Sequence, residues 1–543
     1  MANGLPPLPD IPAEQRTALV EALLAVIRAQ QDRIRELEET VQQLRDEIAI
    51  LKGQKPRPHI TASRLEQPAP QPPLAEGQKR PGSQKRPKNA QLTITRELHI
   101  PFPEPPTGSV SKGYEEYIVQ ELVIRAETTR YLRERIVTAD GQSLLAPLPA
   151  DVLPGQHFGP NLISHILHQY HNNHVTQPLL QDELGQLGIT ISAGQINRIL
   201  TEDKEVFHQE KAELLPAGFA AADYIQVDDT GARHQGKNGY CTHIGNEFFA
   251  YFASTDSKSR LNFLEVLRGG HRDYVLNEVA VAYWQKYELS AALIASLAEG
   301  PGHFADAAAW NAHLQTLGIT GTRLVRITTE GALLGSLMAH GVSPELMVLS
   351  DGAGQFTILV HAACWVHAER PLARMIAHNE ENRLAIERVR QQIWELYQDL
   401  KAYRQQPQPA QVPVLTARFE ALCAQRTGYP SINNVLNEMR EHQADLLRVL
   451  ERPAVPLHNN AAESDIRDYV KKRKISGSTR SDDGRRCRDT FASLKKTCRK
   501  LGIRFWDYLQ DRLRGLGKLP RLADLIRQRA AEAAAWKGQA VPT

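Results

Sequence analysis

Four carboxylates sit where chemistry could use them. Asp228 and Asp229 end the apolar stretch of AADYIQVDDTGARH, which reads as a strand. Asp351 ends a second short strand, ELMVLSDGAGQF, and is followed by Gly-Ala-Gly. Glu463 falls in the first turn of a helix, AAESDIRDYVKKRK, for which Asn459-Asn460 is the expected cap. An acid at a strand end followed by glycine faces the crevice beyond the sheet, where open α/β sheets place their chemistry. Taken singly, Asp351 also fits a turn or a helix cap, and Glu463 the favourable end of a helix dipole. Taken together, Asp228, Asp351 and Glu463 make an oxygen-only ligand set drawn from two strands and a helix. Such a set suits two hard divalent cations, Mg²⁺ or Mn²⁺, which keep positions for water and phosphate. Two ions about 4 Å apart activate an attacking oxygen and stabilise a leaving one in in-line phosphoryl displacement.

The elements that must position these acids are α/β. GYCTHIGNEFFAYFAST is a second strand region, joined to the first through a Gly-Lys-Asn-Gly turn. Residues 271–340 and 360–452 read as mostly helical, and a last helix pair covers 488–533. The acids are therefore far apart in the chain: 351 − 228 = 123 positions, then 463 − 351 = 112. His361, Cys364 and His367 form a His-x-x-Cys-x-x-His string that tempts a zinc reading. On a helix these i, i+3, i+6 residues share a face yet do not converge on one ion, so packing is the expected role.

Charge points to a polyanionic partner. The chain carries a net charge of only +3, but Arg467 to Arg504 holds 14 Lys/Arg against 4 Asp/Glu. Residues 53–90 hold 8 against 2, with eight prolines, and read as an extended basic linker. The alternative for either segment is plain solvated charge. Upstream, residues 14–52 read as an amphipathic helix. From Ile34 to Leu51 its apolar positions step by 3, 4, 3, 4, 3, a heptad seam expected to make a parallel coiled-coil dimer. The alternative is a helical hairpin within one chain. Residues 91–155 alternate as short strands do (TITRELHIPF; YIVQELVIRAETTRYLRERIVT). PLLQDELGQLGITISAGQINRIL then has the shape of a helix-turn-helix. Ser192 caps its second helix, and Gln195, Asn197 and Arg198 project outward toward bases or phosphates.

Composition narrows the class. Hydrophobic residues are 42% and charged residues 23%, which excludes wholesale disorder and fibrous or disulfide-scaffold classes. No apolar run approaches the ~20 residues that span a bilayer. The start, MANGLPPLPDIPAEQ, lacks the basic and apolar parts of a secretion signal. Five cysteines at irregular spacing read as reduced thiols, so a cytoplasmic, nucleoid-associated protein without membrane contact is expected.

VDDTGARHQGKNGY, LSDGAGQF, CWVHAER and HNNAAESDIRDYVKKRKISGSTRSDDGRRCRDTFASLKKTCRKLG resemble the landmark segments of insertion sequence 66 family transposases. The resemblance covers roughly residues 10–515. It implies a multi-domain α/β fold with a ribonuclease-H-like catalytic core and helical insertions, preceded by a coiled coil and a small DNA-binding region. The implied division is 1–52 coiled coil, 53–90 linker, 91–215 DNA-end-binding domain, 216–270 first part of the core and 271–340 helical insertion. There follow 341–360 second part of the core, 361–455 helical insertion, 456–515 third part with the basic run, and 516–543 tail. Asp228, Asp351 and Glu463 match the family's catalytic, metal-binding acids, and Asp229 falls where the family has Glu. Asn459, Asn460, Cys364 and His367 match supporting positions, Cys364 and His367 through a Cys-x-x-His string seen in several transposase groups. Lys471, Lys472, Arg473, Lys474, Arg480, Arg485 and Arg486 match a stretch that would hold DNA. The implied function is metal-dependent cleavage and strand transfer at the ends of a mobile element, with accessory proteins as possible partners. The alternatives are a nuclease without strand transfer and a catalytically silent DNA-binding regulator. One departure is plain: residues 91–160 contain no Cys, so the Cys-rich zinc segment of many members is missing or metal-free.

Overall fold

In the computed structural model the described residues are 92–149, 152, 157–377 and 379–539, with positions 17, 20, 23, 24, 26, 27 and 30. The coiled coil expected over 14–52 lies outside them apart from those few positions, and the linker 53–90 lies wholly outside. The architecture is a mixed α/β fold around a five-stranded sheet. Strands β1 (Tyr224–Gly231), β2 (Tyr240–Gly245) and β3 (Ala250–Thr255) run antiparallel in sequence, with Asp228 opposite His243 and His243 opposite Phe252. Strands β4 (Met347–Ser350) and β5 (Val360–Ala363) lie parallel on the other side of β1, giving the order β3-β2-β1-β4-β5. Tyr224, Ile225, Gln226 and Val227 are all buried, because helices cover both faces of the sheet.

On one face Ile225, Val227, Ile244 and Val348 join a large apolar cluster. Among residues 157–223, four helices lead into the sheet: α1 (Pro160–His171), α2 (Gln177–Gln186), α3 (Ala193–Thr201) and α4 (Glu205–Ala221). Helices α5 (Arg260–Leu267), α6 (Glu278–Lys286), α7 (Ala291–Ala298), α8 (Ala307–Thr316) and α9 (Thr322–Ala339) fill the stretch between β3 and β4. Their apolar sides (Trp284, Trp310, Leu333, Leu337) belong to the same cluster as Ile225, so the insertion packs on the sheet. A second cluster centred on Trp365, Tyr397 and Phe419 is built by α10 (Trp365–Arg374), α11 (Glu380–Gln405), α12 (Gln411–Ala424) and α13 (Pro430–Glu441).

The chain then returns to the sheet as α14 (Asn460–Ser476), α15 (Asp482–Lys500), α16 (Phe505–Arg514) and α17 (Leu522–Gln539). Three helices, α15 to α17, stand where a pair was expected over 488–533. Helix α15 covers the edge strand β3. Thr497 Oγ1, Ser493 Oγ and Asp489 Oδ2 accept the N–H groups of Ala250, Phe252 and Ser254 at 3.1, 2.9 and 2.7 Å. The match is geometric: four residues of helix rise about 6.0 Å and two of strand about 6.7 Å. A strand edge that could pair with another chain is closed by side chains.

Two expectations need correction. Residues 92–134 form no strands; the alternation yields only a short ladder, Arg135–Val137 with Ser143–Leu145. Alternation alone makes no strand: Tyr117 and Leu132 remain exposed, and residues 92–134 pair with no strand among the described residues. Second, His361 lies in β5 rather than on a helix with Cys364 and His367. The helix-turn-helix segment is read correctly in its local detail. Ser192 Oγ accepts from Gln195 N at 3.2 Å, Ile196, Ile199 and Leu200 are buried, and Asn197 and Arg198 are exposed.

Candidate active site

The sheet register brings two acids side by side. Parallel pairing of β1 with β4 ends at Gln226 opposite Leu349. Two residues further along lie Asp228, still in β1, and Asp351, one residue past the end of β4. Side chains alternate along a strand, so Asp228 shares the face of Tyr224 and Gln226. Met347 and Leu349 of β4 cluster with Tyr224. Asp351 itself lies just past the strand, close enough for its charge to act on Asp228. Asp351 leaves the sheet through a turn closed by its own Oδ1, which accepts from Ala353 N at 3.0 Å, with Gly352 at φ +91°.

Helix α14 lies against that face, and Asn459 fastens it. The Asn459 side chain is fully buried and donates from Nδ2 to Val227 O at 2.7 Å, one residue before Asp228. It makes no cap bond, so the expected capping role is replaced by a tie to the sheet. Ala462 N donates to Gln226 Oε1 at 3.3 Å, and Cys364 Sγ accepts from Asn459 N at 3.2 Å. Cys364 is thus a buried acceptor beneath the helix start, and burial pushes its thiol up to about 11. These bonds set Glu463, one turn into α14, above the strand that carries Asp228. Asn460 follows with only its backbone engaged, its N–H donating to His458 Nδ1 at 3.4 Å. Replacing Asn459 by Leu leaves the Val227 carbonyl unsatisfied and is expected to cost about 1–3 kcal/mol. A denaturation midpoint equal to wild type would show that α14 is held by other contacts.

The acids differ in electrostatics. Burial raises the Asp228 carboxyl, a hydrogen bond from Asp229 N at 2.8 Å opposes it, and the charges of Asp351, Asp229 and Glu463 add to it; the outcome is about 7. Asp229 is compensated instead: Lys258 Nζ pairs with one oxygen and Gln355 Nε2 donates to the other at 2.8 Å. Glu463 meets Arg467 at 2.9 Å and Arg370 at 3.4 Å. His367 Nε2 stands 3.7 Å from Glu463 but 2.7 Å from Arg370 Nη1. The shorter contact decides: the imidazole is neutral and accepts from Arg370, in keeping with burial and the Arg370 charge lowering its pKa. Donor atoms of Asp228, Asp351 and Glu463 do not all converge within 4.8 Å, as a one-ion site would require. His361 is engaged elsewhere, by Ser350 and Asp445, both at 2.9 Å.

Sequence reasoning missed Lys258, Gln355 and Arg370. Arg370 alone had a signal, lying three residues after His367 on one helix. The basic run divides between interior and surface. Lys472 is buried: its ammonium donates to Tyr170 O at 2.7 Å and lies 3.3 Å from the Tyr170 ring centre. Lys495 donates to His171 O at 2.7 Å, so two buried cations hold the last carbonyls of α1. Arg473 is turned to Thr230 and Gly231 of β1. Lys472 and Arg473 are therefore withdrawn from the surface set expected from the run. Lys471, Lys474, Arg480 and Arg486 are exposed, and Arg485 is half-buried beside Asp256 and Asp482.

The molecule is an α/β protein with an acidic site at the carboxyl edge of adjacent parallel strands, roofed by a helix. Residues 347–486 match the model of the family described as Transposase IS66 family. An uncharacterised protein of Sinorhizobium fredii, y4jO, is 43% identical over 303 residues, covering 55% of this chain and 94% of that protein. The chain belongs to the IS66 family of transposases. The matched span includes Asp351, Cys364, His367 and Glu463, and Asp228 precedes it. Among the described residues no helix is long and apolar enough to cross a membrane.

Proposed function

We propose that this chain is a DNA transposase that cleaves the ends of a mobile element and joins them to target DNA. The reading rests on one observation above all. Asp228 in β1 and Asp351, one residue past the end of the adjacent parallel strand β4, are neighbours, and the helix that carries Glu463 is tied to the strand of Asp228. The strand order β3-β2-β1-β4-β5, three antiparallel strands followed by two parallel ones, favours a ribonuclease-H-like core.

The acids fit divalent cations by donor chemistry and by charge. All three offer oxygen, and the Asp228 carboxyl is raised first by burial, with the charges of Asp351, Asp229 and Glu463 adding to it, so a bound cation would relieve both. Asp228, Asp351 and Glu463 would hold Mg²⁺ or Mn²⁺, and two such ions would supply a Lewis acid on each side of the reacting phosphorus. Arg467 is exposed and free to release Glu463, while Arg370 orients it from the buried side. Asp229, paired with the Lys258 ammonium and hydrogen-bonded by Gln355, would keep the strand end in place rather than hold a cation. In the first step water attacks the phosphorus, the P–O3′ bond breaks and the element keeps a free 3′-OH. In the second that hydroxyl attacks a target phosphodiester and displaces the target's 3′-oxygen. Lys471, Lys474, Arg480 and Arg486 would hold the phosphate backbone through salt-sensitive contacts. The segment 14–52 would pair two copies, one for each end, and the element's accessory proteins would complete the assembly.

The test is strand transfer by the full chain on labelled DNA from the gene's own flanks, with Mg²⁺ or Mn²⁺. Joined products are expected. Cut but unjoined ends would favour the nuclease alternative. Binding without cutting, with accessory proteins present, would favour the silent regulator.

A further inference from the structure

A second constellation lies in the insertion and belongs to none of this chemistry. We propose that His271, Asp273, His303 and His340 form a site for one transition-metal ion of the Zn²⁺ type. The donor atoms of His271, Asp273 and His340 all lie within 4.8 Å of one another, the one such cluster among the described residues. His340 Nε2 is 2.9 and 3.0 Å from the two oxygens of Asp273, and His303 Nε2 is 3.3 Å from Oδ2. The rings of His271 and His340 stack with centroids 3.5 Å apart.

These residues meet through the fold alone. His271 and Asp273 lie in the loop after α5, reached through Gly269 at φ +69°. His303 sits opposite Val275 in a two-residue ladder, and His340 ends α9. Asp273 is pre-set from behind, because Ser336 Oγ donates to its Oδ1 at 2.9 Å and Arg268 Nη1 to its carbonyl at 2.6 Å. Supporting bonds of this kind are what orient metal-binding side chains.

The donor set selects the ion. Three imidazoles and one carboxylate suit Zn²⁺, Co²⁺ or Ni²⁺ and not Mg²⁺ or Ca²⁺. With bonds of about 2.0–2.1 Å, a tetrahedron has edges of roughly 3.3–3.4 Å. Asp273 already stands at 2.9–3.3 Å from His340 and His303. The His271 donor lies within 4.8 Å of Asp273 and His340 and must close in, and His303, exposed and outside that cluster, must swing toward the other two imidazoles to complete the set. His271 and His340 must also rotate out of their stack, since a bound metal lies in the plane of each ring. Four protein ligands leave no open position, which makes the site structural. It would staple the loop, the ladder and the end of α9 together. The inference does not depend on the transposase reading.

The experiment is Co²⁺ and Zn²⁺ titration of the chelator-treated full chain, followed by visible absorption and melting temperature. Wild type and Asp228→Asn are expected to bind one Co²⁺ with the intense visible bands of a tetrahedral site, and to melt higher with Zn²⁺. The His303→Ala variant should lose both, binding at least about a hundredfold more weakly, since even outer-shell changes cost 10–100-fold. Its side chain is 63% exposed, so the variant should fold. Three outcomes overturn the proposal: no tetrahedral bands in wild type, unchanged binding in His303→Ala, or loss confined to Asp228→Asn, which would put the ion at the acidic site.

Discussion

Asp228→Asn is expected to reduce strand transfer by at least about a thousandfold, some 4 kcal/mol of barrier, while DNA binding stays within a few-fold of wild type. The substitution keeps the side chain's shape and its place beside Asp351 but removes the charge. The same variant should melt at or above wild type in chelator at pH 8. It takes away a buried carboxylate whose neighbours Asp351, Asp229 and Glu463 repel it. Loss of activity with unchanged or higher stability is a signature that a merely structural residue does not give. Asp351→Asn and Glu463→Gln should share the loss of product. Retained joining in any of the three would remove that residue from the set, and a collapse of the Asp228→Asn fold would contradict the electrostatic account.

Much of this site was legible because it is written locally. An acid ending an apolar strand, a glycine after it and an acid in the first helical turn are short-range patterns. Ser192 as a cap is another, since its partner lies three residues away. What could not be read depends on partners distant in the chain. Lys472 belongs to a run that reads as surface charge, and only the approach of α1 shows that it closes a helix end. Asn459 looked like a cap because its position is right for one. The fold uses its Nδ2 as a donor instead, to Val227 O 232 positions away, and its Oδ1 takes no cap bond from the helix N–H groups. His271 and His340 are separated by 340 − 271 = 69 positions, at no ligand spacing that sequence can suggest. The apolar alternation of residues 92–134 fails for the complementary reason. A strand is defined by a neighbour, and those residues pair with no strand among the described residues.

The second large effect concerns stability and the C-terminal helices. Glu210 on α4 is fully buried, and its carboxylate accepts from Arg512 Nε at 2.7 Å, Arg512 Nη2 at 2.9 Å, Tyr508 OH at 2.8 Å and Leu522 N at 2.9 Å. One side chain thus joins α4 to α16 and to the start of α17. Glu210→Gln leaves the Arg512 guanidinium, itself only 8% exposed, beside a neutral amide. Removing one partner of a buried pair outright costs about 3–5 kcal/mol. Arg512 Nη1 keeps the buried Asp511 carboxylate as a second partner, so the expected cost is about 3 kcal/mol, the lower end of that range. Glu213→Gln, one turn along α4, breaks the half-exposed pair with Arg521 and should cost at most about 1 kcal/mol. The pH dependence carries the same sign. Burial works to raise the Glu210 carboxyl, but hydrogen bonds from Arg512 and Leu522 outweigh it and hold the pKa below the ordinary value of 4.5. A folded pKa below the unfolded one gives stability that is complete above about pH 5 and drains away as pH falls through 4.5 and below. The wild-type advantage over Glu210→Gln in melting temperature should therefore be large at pH 7 and shrink under acid. An advantage that is small at pH 7, or equal to that over Glu213→Gln, would show that α16 and α17 are held to α4 by apolar contact alone.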